Sequence, residues 1–319
     1  MQYHRKGLKM KRITGKIYLL LAFSLAGTSV ITGYILSDKL GSFTITAVSL
    51  GIMLICLLPF YGKITLQTIR LLKKSDWKMI GLQAIFGIFL FRIFLLFGVG
   101  LTSTLEAGIL TGATPAITSV LAFLILKERL SGWTAIGIAC TVLGIVLLQG
   151  VNLSAAAFSM EHIGGNLLVL CAAASESAFN ILSRKHRAKQ QQHLKVQIHP
   201  LVQTLLVSAI AFVLSILPAI TEQPFSAFQW VGIKEWLALL WYGLIVTALA
   251  FVFFYKGIKL CNAYTAAAFS GMIPLTSMLL SLFFLHEPIS YAQWAGGVLI
   301  ITSMLLIGKK DRTTIIKPS

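Results

Sequence analysis

Apolar stretches of about twenty residues, separated by short polar loops, constrain this chain more than any other feature. A helix of that length crosses the roughly 30 Å hydrocarbon core of a bilayer. Inside lipid, every backbone N–H and C=O must find a partner within its own segment or in a closed barrel. The stretches lack the period-2 alternation of a barrel strand, so they read as helices. Ten spans are predicted, near residues 17–36, 41–61, 78–99, 103–126, 133–149, 163–183, 200–219, 236–255, 262–285 and 291–308. Only 12% of the residues are charged, where a soluble domain carries roughly 25%. The first run, Ile17 to Leu36, follows a basic region as a signal peptide would. It is long enough to span, however, and no small-x-small cleavage site follows it, so it counts as the first helix.

The net charge of +17 does not require a nucleic-acid partner, because an excess of Lys and Arg is the normal state of cytoplasmic loops in a multi-span protein. With the N-terminus inside, the basic residues from Arg5 to Lys16, Lys63 to Lys78, Lys127 with Arg129, Arg184 to Lys195, Lys256 with Lys259, and Lys309 to Lys317 all fall on the cytoplasmic side. The exceptions among the 27 Lys and Arg residues are Lys39 and Lys234 in outer loops and Arg92 within a span. Adding or losing a span would put basic loops on the wrong side, so the expected fold is all-α integral membrane, with both termini cytoplasmic.

The chain also repeats itself. Residues 101–149 align without a gap on 260–308: Ala107 meets Ala266, Gly112 Gly271, Pro115 Pro274, Glu128 Glu287, Ser131 Ser290 and Gly137 Gly296. A weaker match sets Ile35-Leu36-Ser37 on Ile181-Leu182-Ser183. Five spans per copy, an odd number, force the second copy to enter the membrane from the other side. The expected organisation is a basic cytoplasmic tail 1–16, a first five-helix repeat 17–150, an external linker 151–162, a second repeat 163–308 and a cytoplasmic tail 309–319. Two copies of one shape inserted oppositely can exchange conformations, which turns an inward-open cavity into an outward-open one. That points to transport.

The segment from Thr102 to Gln149 resembles the second part of an EamA domain, of the drug/metabolite transporter superfamily. The resemblance rests on a small-residue helix with a central proline (Ala107, Gly112, Pro115), an apolar stretch ending in Glu128-Arg129-Leu130, and a glycine-bearing last helix (Gly137, Gly144). The second copy has Ala266, Gly271, Pro274, Glu287-Pro288-Ile289 and Gly296. The first helix departs, with Ala26-Gly27 where a Trp-Gly pair is often seen. The resemblance implies ten helices, a cavity between the halves, and movement of small metabolites, often outward, across a bacterial cytoplasmic membrane.

Arg92, just beyond the middle of the third span, is the most expensive residue in the chain, since a charge there costs roughly 2.5–3.5 kcal/mol on insertion scales. It reads either as the binder of an anionic substrate group or as the ion-pair partner of Glu106, one turn into the fourth span. Glu176, Asn180 and Ser183 form one polar stripe on the sixth span, by their i, i+4, i+7 spacing. A carboxyl in a low-dielectric cavity holds a proton more readily than one in water, which makes Glu176 the proton-coupling candidate. Tyr255 and Tyr264 flank the loop between the eighth and ninth spans and complete the candidate substrate-binding set, with interfacial anchoring as the alternative role. Pro115 and Pro274 are expected to kink their helices at equivalent points. Ser24, Thr28 and Thr32 are expected to bond back to their own helix.

No metal or cofactor is implied: the four cysteines and six histidines form no ligand spacing, and no phosphate-binding Gly-Lys-Ser/Thr loop occurs. The basic stretch Arg184–Lys189 with Gln190–Gln192 reads as a cytoplasmic linker touching anionic lipid. The expected function is a secondary transporter, not an enzyme, for a small polar metabolite such as an amino acid, with membrane lipids and a proton as further partners. A membrane-embedded lipid enzyme or a non-transporting scaffold is the alternative. The enzyme would need a paired acid and base, and Arg92, Glu106 and Glu176 do not supply one.

Overall fold

The computed structural model describes residues 2–102, 110–111, 113–128, 130–148, 160–192, 198–285 and 289–310. Helix α1 runs Gln2–Gly27 and resumes after Thr28 as Ser29–Ser37; α2 is Ser42–Leu71. Helix α3 is built of Lys74–Ala84, a π-helical stretch Ile85–Leu90, and Phe91–Gly100. Next come α4 (Thr114–Leu126), α5 (Gly132–Leu148), α6 (Ile163–Gln192) and α7 (Pro200–Thr221). A short helix, Pro224–Phe228, leads to α8, made of Ile233–Trp241, a π-helical Tyr242–Leu249 and Ala250–Leu260. Helix α9 comprises Ala263–Phe269, Met272–Leu280 and a π-helical Ser281–Leu285; α10 is Tyr291–Lys310. Seven of these helices are long and apolar enough to cross a membrane, and α4, α5 and α10 add shorter apolar ones, Thr114–Leu126, Gly132–Leu148 and Tyr291–Ile307.

Several predicted boundaries move. Residues expected in the N-terminal tail belong to α1, which starts at Gln2. Helix α2 continues past residue 61 to Leu71; its 30 residues rise about 45 Å, more than the roughly 30 Å of a hydrocarbon core. The expected linker from Arg184 is helical as far as Gln192, and within it His186 and Arg187 are buried at 1% and 3% exposure. The sequence suggests a linker touching anionic lipid, whereas α6 carries His186 and Arg187 between neighbouring helices. Residues 151–159, most of the expected external linker, lie outside the described residues, as do 311–319 of the C-terminal tail.

Side-chain contacts orient the helices. The starts of α3 and α7 meet the ends of α6 and α8 where Gln83, His186, Gln203 and Tyr255 bond together. Glu128, after α4, accepts from Ala263 at the start of α9. This is the basic end, with Lys63, Lys73, Lys185 and Lys256. At the opposite end Glu222, after α7, takes the backbone N–H groups of Phe43 and Thr44 at the start of α2, and Lys39 pairs with Glu235 at 2.6 Å. Helix α1 therefore starts at the basic end and α6 at the opposite end.

Packing follows the exchange of halves. Helix α2 packs on α7, α4 on α9 and α5 on α10, each joining equivalent helices; α1 packs on α8 and α9 as α6 packs on α3 and α4. Without a hydrophobic force between helices in lipid, close van der Waals contact at small residues must hold them. A Cβ on Gly257 would lie 3.1 Å from the carbonyl oxygen of Gly15, and one on Gly98 would lie 3.1 Å from that of Gly165. Gly98 and Gly257 are equivalent in the register that sets 101–149 on 260–308. The same logic equates Gly15 with Gly165, one helical turn away from the register suggested by Ile35–Ser37 and Ile181–Ser183.

Candidate functional site

A cavity of about 1080 Å³ lies between the halves, lined by residues of α1 to α6 and α8 to α10. It reaches the opposite end at Ser42, Leu148 and Gln293, and goes no further toward the basic end than Gly87, Asn180 and Phe254. Its walls repeat in the register of the halves. Gly87, Ile88, Phe91, Arg92 and Leu95 of α3 correspond to Val246, Thr247, Ala250, Phe251 and Phe254 of α8, and all line it. Both π-helical stretches of these helices face it. Such stretches interrupt the i→i+4 ladder and are frequent at functional sites. Thr111 and Pro115 likewise correspond to Ser270 and Pro274, and all four are lining residues.

Pro115 and Pro274 do not bend continuous helices. Pro115 stands in the first turn of α4, after a turn at Ala113, and Pro274 follows a break in α9 at Ser270-Gly271. Proline tolerates a first turn because its missing N–H would be unpaired there anyway. The result is a broken helix on each side of the cavity.

Three predicted site residues, Arg92, Glu176 and Asn180, share this cavity. Arg92 donates through Nη1 to Thr46 Oγ1 and through Nη2 to Tyr242 Oη at 3.0 Å, with its guanidinium 5.0 Å from the Tyr242 ring centroid. Among the described residues, no carboxylate pairs with it. Glu106, the partner considered from sequence, lies outside them. Glu176 Oε2 accepts from Thr114 Oγ1 at 3.4 Å, and no described cation pairs with it. Asn180 is 2% exposed, and among the described residues its Nδ2 has no hydrogen-bond partner. A buried donor without a partner is costly. Among the described residues, the cavity thus offers one cation, one carboxyl and one unused amide donor within walls of Phe23, Phe91, Phe179, Phe251 and Phe254.

Tyr255 and Tyr264 are placed elsewhere. Both are buried, Tyr255 donating to Gln83 Oε1 at 2.9 Å and Tyr264 to the Glu128 backbone carbonyl at 2.7 Å, and neither lines the cavity. Glu128 anchors its loop through Ala263 N–H and Arg184. Thr28 and Thr32 bond back to Leu25 and Thr28 carbonyls. Sequence reasoning missed Thr46, Tyr242 and Thr114, which hold the two charged groups. Hydroxyls in spans usually bond back to their own helix, so nothing in the sequence separates these from the rest.

A central cavity in a bundle of apolar helices, bounded by broken and π-helical segments, defines a multi-pass membrane protein of the transporter class. The sequence model of the EamA-like transporter family matches residues 13–149 and again 163–309. The chain belongs to that family. An uncharacterized transporter of Bacillus subtilis (strain 168), YetK, is 27% identical over 301 residues, covering 92% of this chain and 86% of that one. An uncharacterized transporter of Clostridium kluyveri is 26% identical over 306 residues, covering 92% of each. A solved crystal structure of a protein 20% identical superposes with a TM-score of 0.74 over 93% of this chain and 96% of that one, a likeness of fold.

Proposed function

We propose that the protein is a secondary transporter that moves a small polar metabolite, an amino acid or a related compound, across the cytoplasmic membrane by alternating access. The one observation that carries the reading is the placement of Arg92 and Glu176, neither paired with an opposite charge among the described residues, with the unused donor of Asn180, on one cavity between the halves. A guanidinium is suited to a carboxylate, which it grips through two parallel hydrogen bonds. Glu176 then serves a substrate ammonium or carries the coupling proton. The phenylalanine walls accept an apolar side chain. Glu106 remains in the proposed set from sequence. Tyr255 and Tyr264 support the site from outside the cavity.

In this reading the chain has ten spans in two inverted five-helix repeats, with both termini in the cytoplasm. The exchange symmetry of the packing, the opposite starts of α1 and α6, and the basic residues gathered at one end support it. Export is the direction that the family resemblance implies. The test is uptake and counterflow of a mixed metabolite pool in proteoliposomes, read by mass spectrometry, for wild type and Glu176→Gln, with and without a pH gradient. Accumulation that follows the gradient and vanishes in the variant is expected. Flux indifferent to both would remove Glu176 from the site, and no flux of any compound would turn the reading toward an enzyme or a scaffold.

A further inference from the structure

Toward the basic end the cavity stops at an aromatic layer. Phe179 lies 5.5 Å from Phe251 and 5.3 Å from Phe254, centroid to centroid, and Tyr255 packs against all three from 5.7 to 6.4 Å. Behind this layer is a polar cluster that the cavity does not use. Gln83 of α3, His186 of α6, Gln203 of α7 and Tyr255 of α8 are all exposed by 1% or less. Gln83 Oε1 accepts from Gln203 Nε2 at 2.7 Å and from Tyr255 Oη at 2.9 Å. Its amide nitrogen therefore faces His186 Nδ1, at 3.2 Å. Asp76, in the first turn of α3, lies 3.5 Å from the other ring nitrogen of His186, and Arg187 stacks 5.2 Å from the Tyr255 centroid.

The cluster has a counterpart. In the register of the halves Gln83 is equivalent to Tyr242, the residue that holds Arg92 against Thr46 at the other end of the cavity. Each lies at or just before a π-helical stretch, Ile85–Leu90 or Tyr242–Leu249. One is sealed and the other opens on the cavity. We propose that the Gln83–Gln203–Tyr255–His186 cluster is the closed inner gate of the transporter. On this assignment, the set around Arg92, Thr46 and Tyr242 closes in its place when the protein faces inward. The inference rests on the transporter reading and deepens it.

The chemistry fits a gate better than a permanent plug. A seal that never opens is served as well or better by apolar side chains of the same volume. Amides and a phenol that bond to one another when buried bond to water when exposed, so opening costs little net free energy. Among the described residues the Oε1 of Gln203 has no hydrogen-bond partner, and entering water would supply one. A small difference between the two states is what alternation needs.

The experiment reads the outward state without a cargo. Ser29 lines the cavity, and Ser29→Cys, in a background with Cys56, Cys140, Cys171 and Cys261 changed to serine, is labelled in intact cells by a membrane-impermeant maleimide. Tyr255→Phe removes one hydroxyl from the gate with little change of shape. It is expected to lower the outward-to-inward ratio by about two- to tenfold, the worth of one neutral hydrogen bond, read as slower labelling. Adding Gln83→Leu and Gln203→Leu to Tyr255→Phe removes both sides of these bonds together and is expected to bring labelling back to the wild-type rate or above it. Opposite directions exclude general loss of fold as the cause. Tyr255→Phe labelled at the wild-type rate would overturn the gate. Shifted labelling in a protein that moves no compound would keep the gate and remove the transport reading.

Discussion

The two halves agree in their backbone packing and disagree in their chemistry. Gly98 and Gly257 make the same close approach to a partner helix, and the cavity walls on α3 and α8 correspond residue by residue. Yet Arg92 faces Phe251 across that correspondence, and Glu176 corresponds to Ala26. The glycines are constrained by steric contact, which a duplicated shape must keep in both copies. On the proposed function, polar lining residues answer to a cargo that meets both copies at once and needs each group only once. A repeat of shape with a single set of charges is therefore the arrangement expected for one asymmetric substrate in a nearly symmetric cavity.

Moving a charge to the other half is the harshest way to break this comparison. Phe251→Arg places a cation where Phe179 and Tyr255 now pack, at an expected loss of about 2.5–3.5 kcal/mol, seen as a fall in thermal stability in detergent. An unchanged melting temperature would mean that the halves tolerate charge equally. Removing the native cation is next. Arg92→Ala should lower substrate affinity about tenfold or more, as the loss of a charged hydrogen bond worth roughly 1.5–3 kcal/mol implies, measured by counterflow. Arg92→Lys should recover part of it, since the charge returns without the planar fork.

The shared scaffold gives a smaller and paired effect. Gly98→Ala and Gly257→Ala each force a Cβ within 2.8 Å and 2.7 Å of Val169 and Leu19 side-chain carbons, so both should destabilise by about 1–3 kcal/mol. A large effect at one and none at the other would deny their equivalence. Least is expected of Tyr264→Phe, which removes the bond to the Glu128 carbonyl at about 1 kcal/mol of stability. Flux should stay within about twofold, since a neutral bond of that size lies off the cavity; a larger fall would return Tyr264 to the substrate.

What could be read from the sequence followed from rarity. Arg92 and Glu176 are conspicuous because charge in a span is expensive, and Asn180 follows from Glu176 by helical spacing. The repeat was visible where glycine and proline mark close approach and helix breaks. Tyr242, Thr46 and Gln83 were not visible, because each is an ordinary polar residue whose meaning comes from a partner on another helix. Gln83 meets Gln203 and Tyr255 across 120 and 172 positions of chain. The turn-wise error in matching α1 to α6 has a similar origin: three similar residues weigh less than one glycine contact that only the packed structure shows.

In the proposed site the cargo sets its carboxylate on Arg92 and, where Glu176 serves the substrate rather than a coupling proton, its ammonium toward Glu176. Counterflow of an amino acid, its carboxamide and its deaminated acid, each in wild type and in Arg92→Ala, tests it most directly. Wild type is expected to prefer the amino acid to its carboxamide, and Arg92→Ala to erase this preference while keeping the one over the deaminated acid. An equal loss for all three compounds in Arg92→Ala would contradict it, because the arginine would then hold the protein together without touching the cargo.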